Sequence, residues 1–262
     1  MSLVLDSVVI ALLSLSSAAT PQAAPAAPPL APRVAPEAPK PAATQPEAPK
    51  PGAPKPEASK PEPMTPEVKA LVERMQSFYE KTSDFTAHFR QEYTYKVFKR
   101  TQISTGTVTF KKPGLMRWEY QEPSPRTFVL AGDNVYAYDP KGQTLTKGSI
   151  NSNQLSASVT FLWGRGRLAS EFSIAQVACP KCQGTFLELT PLKPEPRFRK
   201  VRFEVEPKTA QVVRSVVVDP DGSENAISFL ELKTNAGISV DAFKLETPED
   251  VRIIDMTQTP PR

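Results

Sequence analysis

The chain has 262 residues, 32 of them basic and 28 acidic, with one histidine, two cysteines and a formal net charge of +4. Of its 29 prolines, 15 lie between Pro21 and Pro63, so that stretch cannot belong to a packed core. The charges are scattered with no basic face or run, which excludes the usual pattern of a nucleic-acid binder; a pI near 9.0 leaves only a weak attraction to anionic surfaces.

Val8 to Ala19 is an apolar run that ends in small residues. Ser17-Ala18-Ala19 puts small side chains where a signal peptidase needs them, so residues 1–19 read as a signal peptide and export is expected. Asp6 precedes the run and no Lys or Arg does, which is unusual for such a leader. The run is too short to span ~30 Å of hydrocarbon as an anchor. Residues 20–63 repeat the theme PEAPKP at Pro36 to Pro41 and Pro46 to Pro51, and read as an extended linker reaching on the order of 100 Å. The body, 64–262, is then about 200 residues, a usual size for one β-rich domain.

Thr65-Pro66-Glu67 is a helix start, followed by Val68, Leu71, Val72, Met75, Phe78 and Tyr79 at helical spacing. From Phe85 the period changes to two, with Phe85, Ala87, Phe89, Gln91, Tyr93, Tyr95 and Val97 on one face and His88 on the other. Gly106 to Gln143 reads as a β-meander: Val108 and Phe110, then Met116, Trp118 and Tyr120, alternate with polar residues. Pro113-Gly114, Pro123 to Pro125, Gly132-Asp133-Asn134 and Asp139 to Gly142 punctuate it. Leu155 to Leu168 predicts a short apolar helix broken by Gly164 and Gly166, suited either to a lid or to sealing a core. Five strands follow between Phe172 and Lys233, Pro220-Asp221-Gly222 joins the last two, and Val251 to Ile254 forms a final short one. About ten or eleven strands with few helices predict a mainly β (α+β) fold, a barrel or strongly curved sheet.

Catalytic signatures are missing from the sequence: it has no G-x-S-x-G elbow, no phosphate-binding glycine loop and no HExxH, and no enzyme is expected. Cys179-Pro180-Lys181-Cys182 lies between two strands rather than at the head of a helix, so it resembles a hairpin loop closed by a disulfide; a redox pair or an intermolecular metal site is the alternative. Two cysteines and a distant His88 are too few ligands for zinc within one chain, so no metal or cofactor is expected. Plentiful apolar surface without catalytic groups points to binding of something greasy.

F-T-A-H-F-R-Q (Phe85 to Gln91), G-T-V-T-F-K-K-P-G-L-M-R-W-E-Y (Gly106 to Tyr120), G-D-N-V-Y-A-Y-D-P (Gly132 to Pro140) and Gln143 together resemble the LolA family, the periplasmic carriers of outer-membrane lipoproteins. The likeness continues more loosely to Pro248. It implies an unclosed antiparallel β-barrel with an α-helical lid over an apolar cavity for acyl chains. It also implies cargo of acylated lipoproteins, taken from an inner-membrane ATP-driven releasing complex and passed to an outer-membrane acceptor by a monomeric carrier. A sensor that binds lipid or lipoprotein on the same fold without transferring it is the alternative. On that reading the inward alternation assigns Phe89, Tyr93, Met116, Trp118, Phe128 and Leu130 to the cavity and Phe161, Leu162 and Trp163 to the lid. Lys112 stands where the family has an arginine that holds the lid shut, and is the expected latch; Met116 stands where an aromatic is expected.

Overall fold

The computed structural model describes residues 64–150, 161 and 166–257. The signal-peptide and linker assignments, and the lid residues Leu162 and Trp163, lie outside the described residues.

Helix α1 (Pro66–Lys81) starts where the cap predicts, with the Thr65 hydroxyl accepting from the Val68 N–H at 3.4 Å and proline in the first turn. It stops at Thr82, whose N–H and hydroxyl both donate to the Phe78 carbonyl, at 3.1 and 2.8 Å. Its buried stripe is Val68, Leu71, Val72, Met75 and Tyr79.

Among the described residues 12 strands form one sheet. They are β1 (Asp84–Tyr95), β2 (Arg100–Lys111), β3 (Leu115–Glu122), β4 (Arg126–Ala131), β5 (Asn134–Asp139), β6 (Thr144–Ser149), β7 (Phe172–Gln176), β8 (Thr185–Pro191), β9 (Lys200–Val205), β10 (Val212–Val218), β11 (Glu224–Thr234) and β12 (Arg252–Asp255). A one-turn helix α2 (Leu168–Glu171) precedes β7. The spatial order is β12-β6-β5-β4-β3-β2-β1-β11-β10-β9-β8-β7. Every neighbouring pair is antiparallel except β12 with β6, and β7 and β12 are left as two edges, so the barrel is unclosed. The meander therefore forms one wing and the later strands the other, joined where β1 pairs β11. Val97, expected on the inner face of β1, instead falls in the turn after it and is exposed.

The inner face divides into two cores. One lies under α1 and combines its stripe with Phe161, Leu168, Ile174, Leu187, Phe203 and Val212. The other lines the meander wing, with Phe85, Phe89, Phe110, Met116, Trp118, Tyr120, Phe128 and Leu130. On the outside, the 3-10 turn Val240–Phe243 lies against β3 and β4. The Arg117 guanidinium pins it by donating to the Lys244 carbonyl at 2.8 Å and the Ala242 carbonyl at 3.3 Å. Charged side chains form a ladder across the other wing: Lys200 and Arg202 on Glu188, and Arg202 again on Glu224.

Candidate functional site

The aromatic wing is assembled by register. Trp118 of β3 pairs Val108 of β2 and Phe128 of β4, and Met116 pairs Phe110 and Leu130, so alternate residues of three strands meet on one face. Phe89 on β1 stands at the centre: its ring lies 4.8 Å from Trp118 and 5.0 Å from Tyr120, both edge-on, and Tyr120 meets Phe128 edge-on at 5.8 Å. The Trp118 indole N–H donates to the Met116 sulfur at 2.9 Å, which satisfies the polar atom without bringing water into the face. Burial pushes the Tyr120 phenol above its ordinary range, against the opposing pull of Arg126, so it stays neutral.

Phe89 fits because of Gly106 opposite it. A side chain there would put its Cβ 1.9 Å from the Glu119 carbonyl oxygen and 2.8 Å from the Phe89 ring. The register between β2 and β3 shifts at Thr105/Gly106, where the missing side chain admits both a backbone irregularity and an aromatic ring.

Five of the six side chains assigned to the cavity therefore lie in one cluster: Phe89, Met116, Trp118, Phe128 and Leu130. Tyr93 does not. Its strand continues with the same alternation, but the inner face turns polar beyond Phe89. Gln91 donates to the Asn225 side-chain oxygen at 2.8 Å, both residues buried, and the Tyr93 hydroxyl donates to Asp219 at 2.5 Å. Burial raises both members of that last pair; Tyr93 is raised further by its hydrogen bond to Asp219, which in turn lowers the Asp219 carboxyl in part. Members of the cluster absent from the assignment, Phe85, Val108, Phe110 and Tyr120, carry the same period-2 signal and were legible from it.

Phe161 is fully buried, but it packs against Tyr79 of α1 at 5.0 Å and Phe203 of β9 at 6.5 Å, in the core under the helix. Lys112 follows β2 and reaches the end of α1, donating to the Tyr79 carbonyl at 2.7 Å and the Glu80 carbonyl at 2.9 Å. A cation on the last carbonyls of a helix is favourably placed against the macrodipole. Burial lowers the Lys112 ammonium from its ordinary value and the Glu80 carboxylate opposes that shift. Cys179 and Cys182 are bonded to each other in the loop between β7 and β8. The Glu204 carboxylate holds that loop by accepting from the Gln183 N–H at 2.8 Å and the Gly184 N–H at 3.2 Å. His88 is exposed on the outer face. Among the described residues no group of three or more His, Cys, Asp or Glu is placed to hold a metal, and no helix is long and apolar enough to cross a membrane.

The model of the family described as outer membrane lipoprotein carrier protein LolA matches residues 80–246. Relatives named outer-membrane lipoprotein carrier protein include one from Chromohalobacter salexigens, 25% identical over 182 residues, covering 70% of this chain and 85% of its own. Another, from Nitrosomonas europaea, is 25% identical over 183 residues and covers 70% of this chain and 88% of its own. Among solved structures, an uncharacterized conserved protein from Thermus thermophilus aligns with 13% identity and a TM-score of 0.47, over 72% of this chain and 98% of that one. With the family model matching well over half of its length, this chain belongs to the LolA family.

Proposed function

We propose that the chain is a periplasmic carrier that binds the acyl chains of lipoproteins released from the inner membrane and delivers them to the outer membrane, without covalent chemistry. Family membership and the carrier names of the relatives support this reading. The observation that carries it is the inner face of an unclosed sheet built from Phe89, Trp118, Tyr120 and Phe128 around Met116. Exposing an acyl chain to water costs ~0.8 kcal/mol per CH₂, so a lipid-anchored protein needs such a face to cross an aqueous space. Among the rings Met116 adds a flexible, unbranched thioether that adapts to the shape of an apolar guest.

In this reading Lys112 is the latch. It ties the turn after β2, on the aromatic wing, to the end of α1, which covers the other wing, and releasing it loosens the last turn of the helix, which stays joined to β1 through Thr82 and Ser83. Donors to the chain would be an ATP-driven inner-membrane releasing complex, and the receiver an outer-membrane acceptor; the carrier acts as a monomer.

The test is a release assay. Spheroplasts loaded with a labelled lipoprotein are incubated with the purified chain and ATP. Label is expected in the soluble fraction as a one-to-one complex. Label that stays in the membrane while the chain still binds an acyl probe overturns transfer in favour of a sensor. Loss of both results removes the acyl-binding reading altogether.

A further inference from the structure

The largest exposure of apolar side chains among the described residues is at the tip of the β1–β2 hairpin, where Val97 is 72% and Phe98 77% exposed. Three cations share the tip: Lys96, Lys99 and Arg100, all exposed. No acidic residue occurs between Glu92 and Glu119. Lys96 faces Asp221 on the neighbouring β10–β11 turn, which leaves Lys99 and Arg100 as the cations that look outward.

The tip is held rather than loose. The Lys96 N–H donates to the Ser223 hydroxyl at 3.2 Å, Tyr93 holds Asp219, and the Thr94 and Thr101 hydroxyls meet across the hairpin at 3.1 Å. The Tyr95 ring supports Phe98 at 6.3 Å and is itself packed on Tyr93 at 4.5 Å. Lys99 takes a left-handed backbone conformation, φ 48°, that glycine would adopt with less strain, so a charge occupies the corner where a small residue fits best.

We propose that this hairpin tip is a membrane-docking element that inserts Val97 and Phe98 into the interface of an anionic bilayer while Lys99 and Arg100 contact the headgroups. The inference goes beyond the carrier reading and holds for any cargo. A convex tip of two apolar side chains offers far less than the ~800 Å² per partner that a stable protein interface buries. A bilayer accepts such a tip, and pairing apolar insertion with adjacent cations is the two-signal arrangement that gives reversible binding to anionic lipid.

The full chain carrying Phe98→Trp is compared with its parent on vesicles of phosphatidylcholine with phosphatidylglycerol, and of phosphatidylcholine alone, with brominated acyl chains as quencher. Subtracting the parent removes any signal from Trp118 and Trp163 caused by lipid entering the aromatic wing. The added emission is expected to shift blue and be quenched on anionic vesicles only, and to lose both effects as salt rises. In flotation, Val97→Ser with Phe98→Ser is expected to weaken binding about fivefold or more, and Lys99→Gln with Arg100→Gln roughly tenfold. These side chains are exposed, so the variants should keep the parent's melting temperature. Added emission that stays unquenched on vesicles the chain does bind overturns the proposal. So do equal binding to neutral vesicles and quenching replaced by concentration-dependent self-association.

Discussion

Under α1 the sheet is packed largely with branched aliphatic side chains, Leu187, Leu189, Val201, Val205 and Val212, with the rings of Phe161, Phe172, Phe198 and Phe203 among them, closed by a capped 16-residue helix and backed outside by the Glu188–Lys200–Arg202–Glu224 ladder. The meander wing buries its face with rings: Phe85, Phe89, Phe110, Trp118, Tyr120 and Phe128, with Met116 between them. Stiff branched side chains interlocked under a helix make a core with one arrangement. Rings meeting edge-on around a flexible thioether gain part of their stability from a few large contacts. On the carrier reading that difference makes one wing permanent and the other open to exchange, and the largest effects should come from asking each wing to behave like its neighbour.

Phe203→Ala and Trp118→Ala each remove a buried aromatic, 1% and 5% exposed, and each should cost about 3–5 kcal/mol in urea unfolding. Their binding consequences should part. Phe203→Ala leaves the affinity of the folded protein for an acyl probe unchanged, because its void lies under the helix. Trp118→Ala tightens it, since the guest no longer has to displace the indole and instead fills the apolar gap the indole leaves. Equal affinity changes in the two variants would erase the distinction between the wings. Gly106→Ala comes next. Its Cβ collides with the Glu119 carbonyl and the Phe89 ring, so the strand or the ring must move, at about 1–3 kcal/mol and with loss of the edge contact between Phe89 and Trp118. Near-ultraviolet circular dichroism checks the ring environment; an unchanged spectrum with unchanged stability would show that the glycine is not the seat of Phe89.

Most of the fold was legible because alternation reports which way a side chain points. Phe89, Met116, Trp118, Phe128 and Leu130 all face inward as the period requires, and His88 faces out. Alternation does not report where along a strand the apolar core ends. Tyr93 keeps the inward phase but sits past the Gln91–Asn225 pair, where the face has become polar. Burial without a partner is the second gap. The apolar run around Phe161 announces a buried residue, while the choice between the ring cluster and the helix core depends on Tyr79 and Phe203, each more than 40 residues away in sequence. Edge pairing is the third: Val251 to Ile254 reads as a strand, yet the strand that forms, Arg252–Asp255, makes only a short parallel match to β6 and leaves Ile253 and Ile254 outside.

Lys112 joins the two wings, so it tests whether they move separately. Lys112→Ala removes two charge-assisted hydrogen bonds at a helix end and should cost about 1–2 kcal/mol. As the latch, it should also raise the rate of acyl-probe uptake, whereas Lys112→Arg, with its planar fork, restores the bonds and slows uptake to the parental rate or below. Stopped-flow fluorescence resolves the two. A stability loss without any change in uptake would make Lys112 a helix cap and nothing more.

The smallest expected effect belongs to the permanent wing and is visible through pH. Burial alone would raise the Glu188 carboxyl, but the hydrogen bonds from Lys200 and Arg202 outweigh it and hold the group below its ordinary value. Glu195 is lowered in the same direction by its bonds from Arg197. A carboxyl depressed in the folded state binds fewer protons there than in the unfolded chain near pH 4. Its contribution is therefore present above the unfolded value of ~4.3 and lost as pH falls through the folded one. Glu188→Gln should cost no more than about 1 kcal/mol at neutral pH, because the ladder is partly solvated. The gap between variant and parent should close as pH drops below ~4. Because the ladder backs the helix-covered wing, acyl-probe affinity should stay level across the same titration. Affinity that falls together with stability would mean that strain in the permanent wing reaches the aromatic one, and that β1 and β11 transmit it across their shared pairing.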